Sequence, residues 1–403
     1  MKILQISPQV SYPPDNGGRL SIWGITKSLS ERGHQITFIC YSQGLVKTEI
    51  ENELLKICKP VFIKWDNKNK LGTALLNLFS IVPYNISKYY SKKLECFLID
   101  YFKHNKVDVV HVDHLHMAWV VDVIRKISDV PVILREHNLE MKIMKRYSEE
   151  QSNLFLRYYA KLQYWKFLKY EPKQCEKFNC CFMITEDDEK SLVILNPKIK
   201  TTVIPAGVDK EIFDIQSSVA IPYSIFHVGE LNWEPNYDGL IWFLTEVYQK
   251  IVEKYPDSQL YVYSKGVERL KIPNNIKKNV VLCGYVKNIW EEILDKQILV
   301  VPLKVGSGMR VKIVEMLAAK KLIVTTTIGK EGIDVTDGEH ILVADSSESF
   351  ILKLFDIFEN RIDIDNITRN AQNIIKKKYS WDLIAEKLEI EYNKTINKIR
   401  NYS

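Results

Sequence analysis

The chain has 403 residues, with 56 Lys plus Arg against 50 Asp plus Glu and a formal net charge of +6. With 46% hydrophobic and 26% charged residues, 16 Gly and 14 Pro, its composition is that of an ordinary globular protein, which excludes disordered, collagen-like and low-complexity classes. The length suits two domains; the interspersed charges argue against a dedicated nucleic-acid binder and leave room for an acidic small molecule or an anionic membrane surface.

From the start, Lys2-Ile3-Leu4-Gln5-Ile6-Ser7 reads as a strand. It lacks a basic n-region, an apolar h-region and a cleavage site, so no secretory leader is expected. The turn-rich Pro13-Pro14-Asp15-Asn16-Gly17-Gly18 follows, then an amphipathic helix from about Arg19, closed by Gly33. His34-Gln35-Ile36-Thr37-Phe38-Ile39 completes a βαβ unit. Further apolar strands are expected at 107–112, 130–135, 179–185 and 201–205. Short, nearly continuous apolar strands between helices indicate a parallel sheet covered on both faces.

A second series begins at 224–229. A helix is expected over 236–255, then strands at 259–263, 280–283, 298–302, 322–326 and 340–343, and helices at 367–378 and 381–400. The expected organisation is a Rossmann-like domain at 1–205, a linker at 206–223, a second Rossmann-like domain at 224–380 and a C-terminal helix at 381–403. Two segments break the rhythm. Residues 68–106 mix Leu71, Leu75, Leu76, Leu78, Phe79 and Ile81 with lysines, and 154–178 is dense in aromatics and Lys. Each reads either as a helix packed on its domain with a solvated Lys face or as an amphipathic helix on a membrane. No apolar run approaches the ~18 residues needed to span a bilayer. The 7 Cys are odd in number, none forms Cys-x-x-Cys, and Cys180 and Cys181 are adjacent; reduced, buried thiols in a cytoplasmic protein are expected.

The most specific local pattern is Gly306-Ser307-Gly308-Met309-Arg310-Val311-Lys312-Ile313-Val314-Glu315, where a buried strand enters a glycine turn and then a helix. Glycines let backbone approach a ligand, and a helix N-terminus suits phosphate. Arg310 adds a bidentate donor, Lys312 a point charge, and Glu315 an acceptor for sugar hydroxyls. The pattern is neither a P-loop nor a dinucleotide fingerprint. As a bare turn it fits a structural role equally well; its place at a strand's carboxyl end favours a ligand. Gly17-Gly18-Arg19 occupies the corresponding place in the first domain. Two such domains facing a central cleft would hold a nucleotide-sugar with its diphosphate between the turns. His111, His114, His116 and His137, with Asp113, Glu136 and Asn138, also fall at or near strand carboxyl ends. Their spacing matches no common metal motif. His111 fits a buried strand position, whereas the others are polar groups available to bind hydroxyls or serve catalysis.

On these residues the chain resembles a GT-B glycosyltransferase of family 4, the retaining, nucleotide-sugar-dependent type. The resemblance rests on Gly17-Gly18 with Gly33-His34, on the strand end at 111–116, and on Arg135-Glu136-His137-Asn138. It rests further on Pro205-Ala206-Gly207-Val208-Asp209, on Val228-Gly229, and on 306–315 with Gly332. It implies an α/β protein of two doubly wound domains, with the donor held by Gly17, Gly18, Gly229, Gly306, Ser307, Gly308, Met309, Arg310, Lys312 and Glu315. Backbone at Gly284, Tyr285 and Val286 would meet the base. Glu315 would hold the ribose, while Arg310 and Lys312 stabilise the departing diphosphate. His116, with His114 the near alternative, would contact the sugar, joined on the acceptor side by Glu136, His137 and Asn138. The catalytic set so implied is His116, Glu315, Arg310 and Lys312, with no metal or cofactor. Ser307 stands where the family commonly has the first of two glutamates, and Glu230 where many members have Arg. The expected activity is transfer to a glycan or lipid-linked acceptor in surface polysaccharide or glycolipid assembly, in the cytoplasm or at the inner face of a membrane. A GT-B epimerase or phosphorylase is the enzymatic alternative, and a nucleotide-sugar-binding regulator or scaffold, motivated by Ser307, is the non-enzymatic one.

Overall fold

The computed structural model describes residues 1–151, 153–216, 218–306 and 308–400. Two compact units emerge. The first is Met1–Gly207 together with the helix Trp381–Arg400, and the second is Val208–Ser380.

The first unit is built on strands β1 (Lys2–Ser7), β2 (Gln35–Ser42), β3 (Lys59–Lys64), β4 (Val109–Asp113), β5 (Val132–Glu136), β6 (Cys180–Met183) and β7 (Thr201–Val203). They form one parallel sheet in the order β3-β2-β1-β4-β5-β6-β7. Ile3 pairs with Ile36 on one side and Val109 on the other. β4 and β5 are buried along their whole length, with apolar runs at Val109–Val110 and Val132–Leu134 and buried polar residues toward their carboxyl ends. β3 was not expected. It lies at the sheet edge, half-buried, and carries Pro60, which an edge strand tolerates because it need not donate to a second neighbour. Its Val61 and Ile63 pack on the main core while Phe62 packs with Phe38 on the other face.

The first helix starts at Gly17, slightly before the expected Arg19, because the Asn16 side chain accepts from the Arg19 amide at 3.0 Å and caps it. Ile22, Ile25 and Leu29 form its buried face. The helix Trp381–Arg400, treated in sequence as a terminal appendage, is part of this unit. A Cβ on Gly24 would lie 2.0 Å from the Trp381 ring, and one on Gly207 2.5 Å, so two glycines far apart in sequence make the slot that the indole fills. Farther along, the buried Tyr392 hydroxyl lies 2.6 Å from His111 Nδ1.

The second unit holds β8 (Ser224–Val228), β9 (Gln259–Tyr263), β10 (Val280–Gly284), β11 (Ile298–Val301), β12 (Leu322–Thr325) and β13 (Leu342–Val343), all parallel, in the order β10-β9-β8-β11-β12-β13. The helix expected over 236–255 runs as Glu234–Trp242, a π-helical turn Phe243–Tyr248, and Gln249–Lys254. The helix Val311–Ala318 is closed by Gln372, whose amide donates to the Ala318 carbonyl at 2.7 Å and the Phe213 carbonyl at 3.0 Å.

All seven cysteines are free thiols. Cys40, Cys175, Cys180 and Cys181 are buried as expected. Cys58 and Cys283 are only half-buried and Cys96, on the helix Lys92–His104, is exposed, which corrects the expectation for these three. No helix among the described residues is long and apolar enough to cross a membrane.

Candidate active site

In each sheet the strand order reverses at one point, between β1 and β4 in the first unit and between β8 and β11 in the second. Ligands of open parallel sheets bind beyond the carboxyl ends of the strands at such a point. The chain leaving β8 carries Gly229, and the chain leaving β11 carries 302–310. The chain leaving β1 carries Gly17 and Gly18, and the chain leaving β4 carries His114 and His116. The glycine turns and two of the histidines singled out in sequence therefore fall at the two switch points.

In the second unit, Gly306 and Gly308 both have positive φ, 153° and 76°. A Cβ on Gly306 would lie 2.1 Å from Arg310 Nη2, so the absence of a side chain makes room for the guanidinium. Arg310 donates from Nη1 to the Gly308 carbonyl at 2.9 Å, and its guanidinium carbon lies 5.7 Å from the Trp233 ring centroid. It occupies the N-cap position of the helix Val311–Ala318 without a side-chain bond to the first amides, which are left free at the end of the turn. Ser307 lies outside the described residues, while Met309 is buried beneath the turn. Glu315 is half-buried one turn further on. Burial pushes its carboxyl up to about 7; Lys312 pulls it down and Asp209 pushes it up. Gly229 is held tightly: a Cβ there would lie 2.9 Å from Asn236 Nδ2 and 3.0 Å from His227 Nε2. Gly284 ends β10 at the sheet edge, separated from β8 by β9, and Tyr285 and Val286 follow it. Gly284 has φ 72°, and the exposed Tyr285 ring carries the Lys265 ammonium 4.6 Å from its centroid.

In the first unit, His114 occupies φ 65°, a conformation unusual for a non-glycine residue. Its ring stacks on His137 with centroids 3.7 Å apart, and its buried Nε2 has no hydrogen-bond partner among the described residues. A Cβ on Gly18 would lie 3.7 Å from that nitrogen and 3.3 Å from Gln9 Nε2, so His114 is aimed at the glycine turn. Burial holds its pKa well below the ordinary value, with His137 and His116 adding to the effect, so the ring is neutral near pH 7. Behind it lies a buried polar network. Asp113 Oδ1 is 3.3 Å from both His137 Nε2 and His111 Nε2, and Asp113 Oδ2 accepts from Gln5 Nε2 at 2.8 Å. Burial raises the Asp113 carboxyl, but His111 and His137 outweigh it and hold it far below the usual range. His116 Nε2 instead lies 3.6 Å from Glu140 Oε1, and its ring packs on Tyr89 at 4.8 Å. His114 and His116 line a cavity of about 550 Å³ together with Tyr12, Arg19, Trp65 and Tyr89.

Glu136 is not in this group. It is turned into the interior beside Cys175 Sγ at 3.5 Å, and burial, then Cys175 and Glu171, raise its carboxyl well above the usual range. Asn138 is half-buried in the turn after β5. Among the described residues no three His, Cys, Asp or Glu side chains are grouped to hold a metal ion. Sequence reasoning missed His227, Trp233 and Gln9. His227 donates from Nδ1 to the Val300 carbonyl at 3.0 Å, and burial lowers its pKa to about 4. Its position two residues before Gly229 was the available signal.

Residues 16–212 match the family model described as Glycosyltransferase Family 4, and residues 222–360 match the one described as Glycosyl transferases group 1. The chain belongs to these glycosyltransferases, and its fold is that of the GT-B enzymes. It is 24% identical over 391 residues to an uncharacterised 44.6 kDa protein in the cps region of Klebsiella pneumoniae, covering 94% of this chain and 96% of that one. Among solved structures it is similar to sucrose-phosphate synthase from Thermosynechococcus elongatus, with TM-score 0.72, 13% identity, and coverage of 99% and 100% of the two chains. It is also similar to Alr3699/HepE of Anabaena in complex with UDP-glucose, with TM-score 0.67, 14% identity, and coverage of 98% and 100%.

Proposed function

We propose that the protein transfers a sugar from a nucleotide-sugar to a glycan or lipid-linked acceptor, with retention of configuration, during surface polysaccharide or glycolipid assembly. The observation that carries this is the turn at 306–310, where two positive-φ glycines, a guanidinium and a helix N-terminus converge at the carboxyl end of β11. That combination suits a diphosphate. The complex of the Anabaena relative with UDP-glucose supports a nucleotide-sugar donor, and the cps location of the Klebsiella relative supports polysaccharide assembly.

Arg310, Lys312 and the helix amides stabilise charge on the leaving diphosphate, the task that oriented donors and cations perform best in a site that excludes water. Glu315 accepts from the ribose hydroxyls. His114 takes the sugar-side role ahead of His116, because its Nε2 faces the glycine turn while His116 Nε2 lies toward Glu140 at 3.6 Å. The bond from the anomeric carbon to the phosphate oxygen breaks, and the acceptor hydroxyl bonds to that carbon on the same face. The hydroxyl proton passes to the departing phosphate, so no side-chain base is required. The aromatic cavity of the first unit is assigned to the acceptor. The test is a panel of nucleotide-sugars with a lipid-linked acceptor pool, read by mass spectrometry. Glycosylated acceptor plus nucleoside diphosphate is expected with one donor. Tight donor binding without turnover on any acceptor would instead make the protein a nucleotide-sugar-binding regulator.

A further inference from the structure

Two segments of the first unit, 71–81 and the amino-terminal half of the helix Leu154–Cys175, expose large apolar side chains that the fold does not cover. Leu71 is 80% exposed, Phe79 93%, Ile81 89% and Phe155 88%. Leu76 and Trp165 are exposed beside them. The segments are fastened together from within. Lys166 Nζ donates to the Asn77 carbonyl at 2.5 Å, Gln163 Nε2 donates to Asn77 Oδ1 at 3.3 Å, and the Tyr84 amide donates to Gln163 Oε1 at 2.9 Å. The polar side of the helix thus faces the protein, and Leu162 and Trp165 face solvent. Soluble proteins rarely leave a contiguous apolar face of this kind without a partner.

The two segments themselves carry charge of one sign, with Asp66, Glu95 and Glu149 flanking them. Residues 67–94 and 151–170 contain nine Lys and Arg, of which Lys166 is turned into the protein, and no Asp or Glu, against a net +6 for the whole chain, which leaves the remainder at −3. Lys70 and Lys92 reach Asp66 at 3.1 Å and Glu95 at 3.0 Å, but both acids lie just outside the segments, and exposed pairs of this type bind weakly. Lysine is depleted in protein–protein interfaces, whereas apolar and aromatic side chains interleaved with Lys and Arg suit the headgroup layer of an anionic bilayer.

We infer that this face docks the first unit onto an anionic lipid surface, with Phe79, Ile81 and Phe155 entering the headgroup boundary and the surrounding Lys and Arg meeting lipid phosphates. The full-length chain is tested by flotation with vesicles of phosphatidylglycerol and phosphatidylcholine, and with phosphatidylcholine alone. Binding to the anionic vesicles that weakens with salt is expected, with less binding to the neutral ones. Phe79→Glu with Phe155→Glu is expected to lower the bound fraction roughly tenfold or more at an unchanged melting temperature, since both side chains are exposed. Lys161→Glu with Lys169→Glu is expected to abolish the preference for anionic lipid. A wild-type chain that fails to float with anionic vesicles, or variants that float like wild type, would overturn the inference. So would self-association in sedimentation that the phenylalanine variants abolish, which would assign the face to a second copy of the chain. Flotation is read without any sugar donor, so its failure is distinguishable from failure of the transferase proposal.

Discussion

Glu315 occupies a place where its charge is costly. Its carboxyl is pushed up from 4.5 to about 7, first by burial. The unfolded chain titrates this group at its ordinary value. Between about 4.5 and 7 the native state therefore holds the proton that the unfolded state has lost, so stability falls as pH rises through that window and the full cost is present above it. Glu315→Gln removes the charge and keeps the shape. It is expected to stabilise the protein at pH 8 by about 1–2 kcal/mol, after allowing for solvent at a half-buried site, with a smaller gain at pH 5. Thermal melts at the two pH values check this, and equal gains would contradict it. The same variant is expected to weaken donor binding, the usual exchange of function for stability at a working site. The two histidines offer a second comparison. His114→Ala is expected to lower kcat by roughly 100-fold or more, as for loss of a polar group at the reacting centre, and His116→Ala by less than about tenfold. Steady-state kinetics with both variants decide this, and the reverse order would return the sugar-side role to His116. Sequence ranked these residues the other way because spacing along the chain does not show that one Nε2 faces the glycine turn and the other lies toward Glu140.

At the level of elements, the glycine turn after β11 was legible in the sequence. A strand buried on both faces, two closely spaced glycines and a helix-forming run leave few alternatives. What the turn does to Arg310 was not legible. Gly306→Ala would place a methyl group 2.1 Å from the Arg310 guanidinium and on a backbone φ of 153° that side chains avoid. The expected result is about tenfold weaker nucleoside diphosphate binding with the second unit still folded, because one bidentate cation is displaced. Calorimetric titration with a nucleoside diphosphate reads this directly, and unchanged affinity would sink the idea. The interior strands were legible for the same physical reason as the turn, since both their faces are covered. β3 was not, because its Pro60 and half-exposed residues carry an edge strand's signal. His227 was hidden for the opposite reason, as one polar residue inside an apolar strand reads as a packed core position.

At the scale of the molecule, the division into two sheets followed from the two series of strands, but the allegiance of the last helix did not. Trp381 belongs to a slot made by Gly24 and Gly207, and no local pattern links an indole to glycines so distant. The consequence is that the first unit is completed by the end of the chain. Trp381→Ala is expected to destabilise that unit by about 3–5 kcal/mol, the range for emptying a large aromatic site. Ending the chain at Ser380 is expected to leave the first unit unfolded, since Tyr392 and its bond to His111 go with the helix. Thermal melts and limited proteolysis check both, and a shortened chain that melts like the full one would contradict the account. The central claim concerns the second unit, where the turn at 306–310 and the helix behind it hold a nucleoside diphosphate. Its most direct measurement is calorimetric titration of nucleoside diphosphates into the wild-type chain and into Arg310→Ala. Binding by wild type, weakened by roughly 10- to 100-fold in the variant at an unchanged melting temperature, is the predicted result. Equal affinity in the two proteins would contradict it.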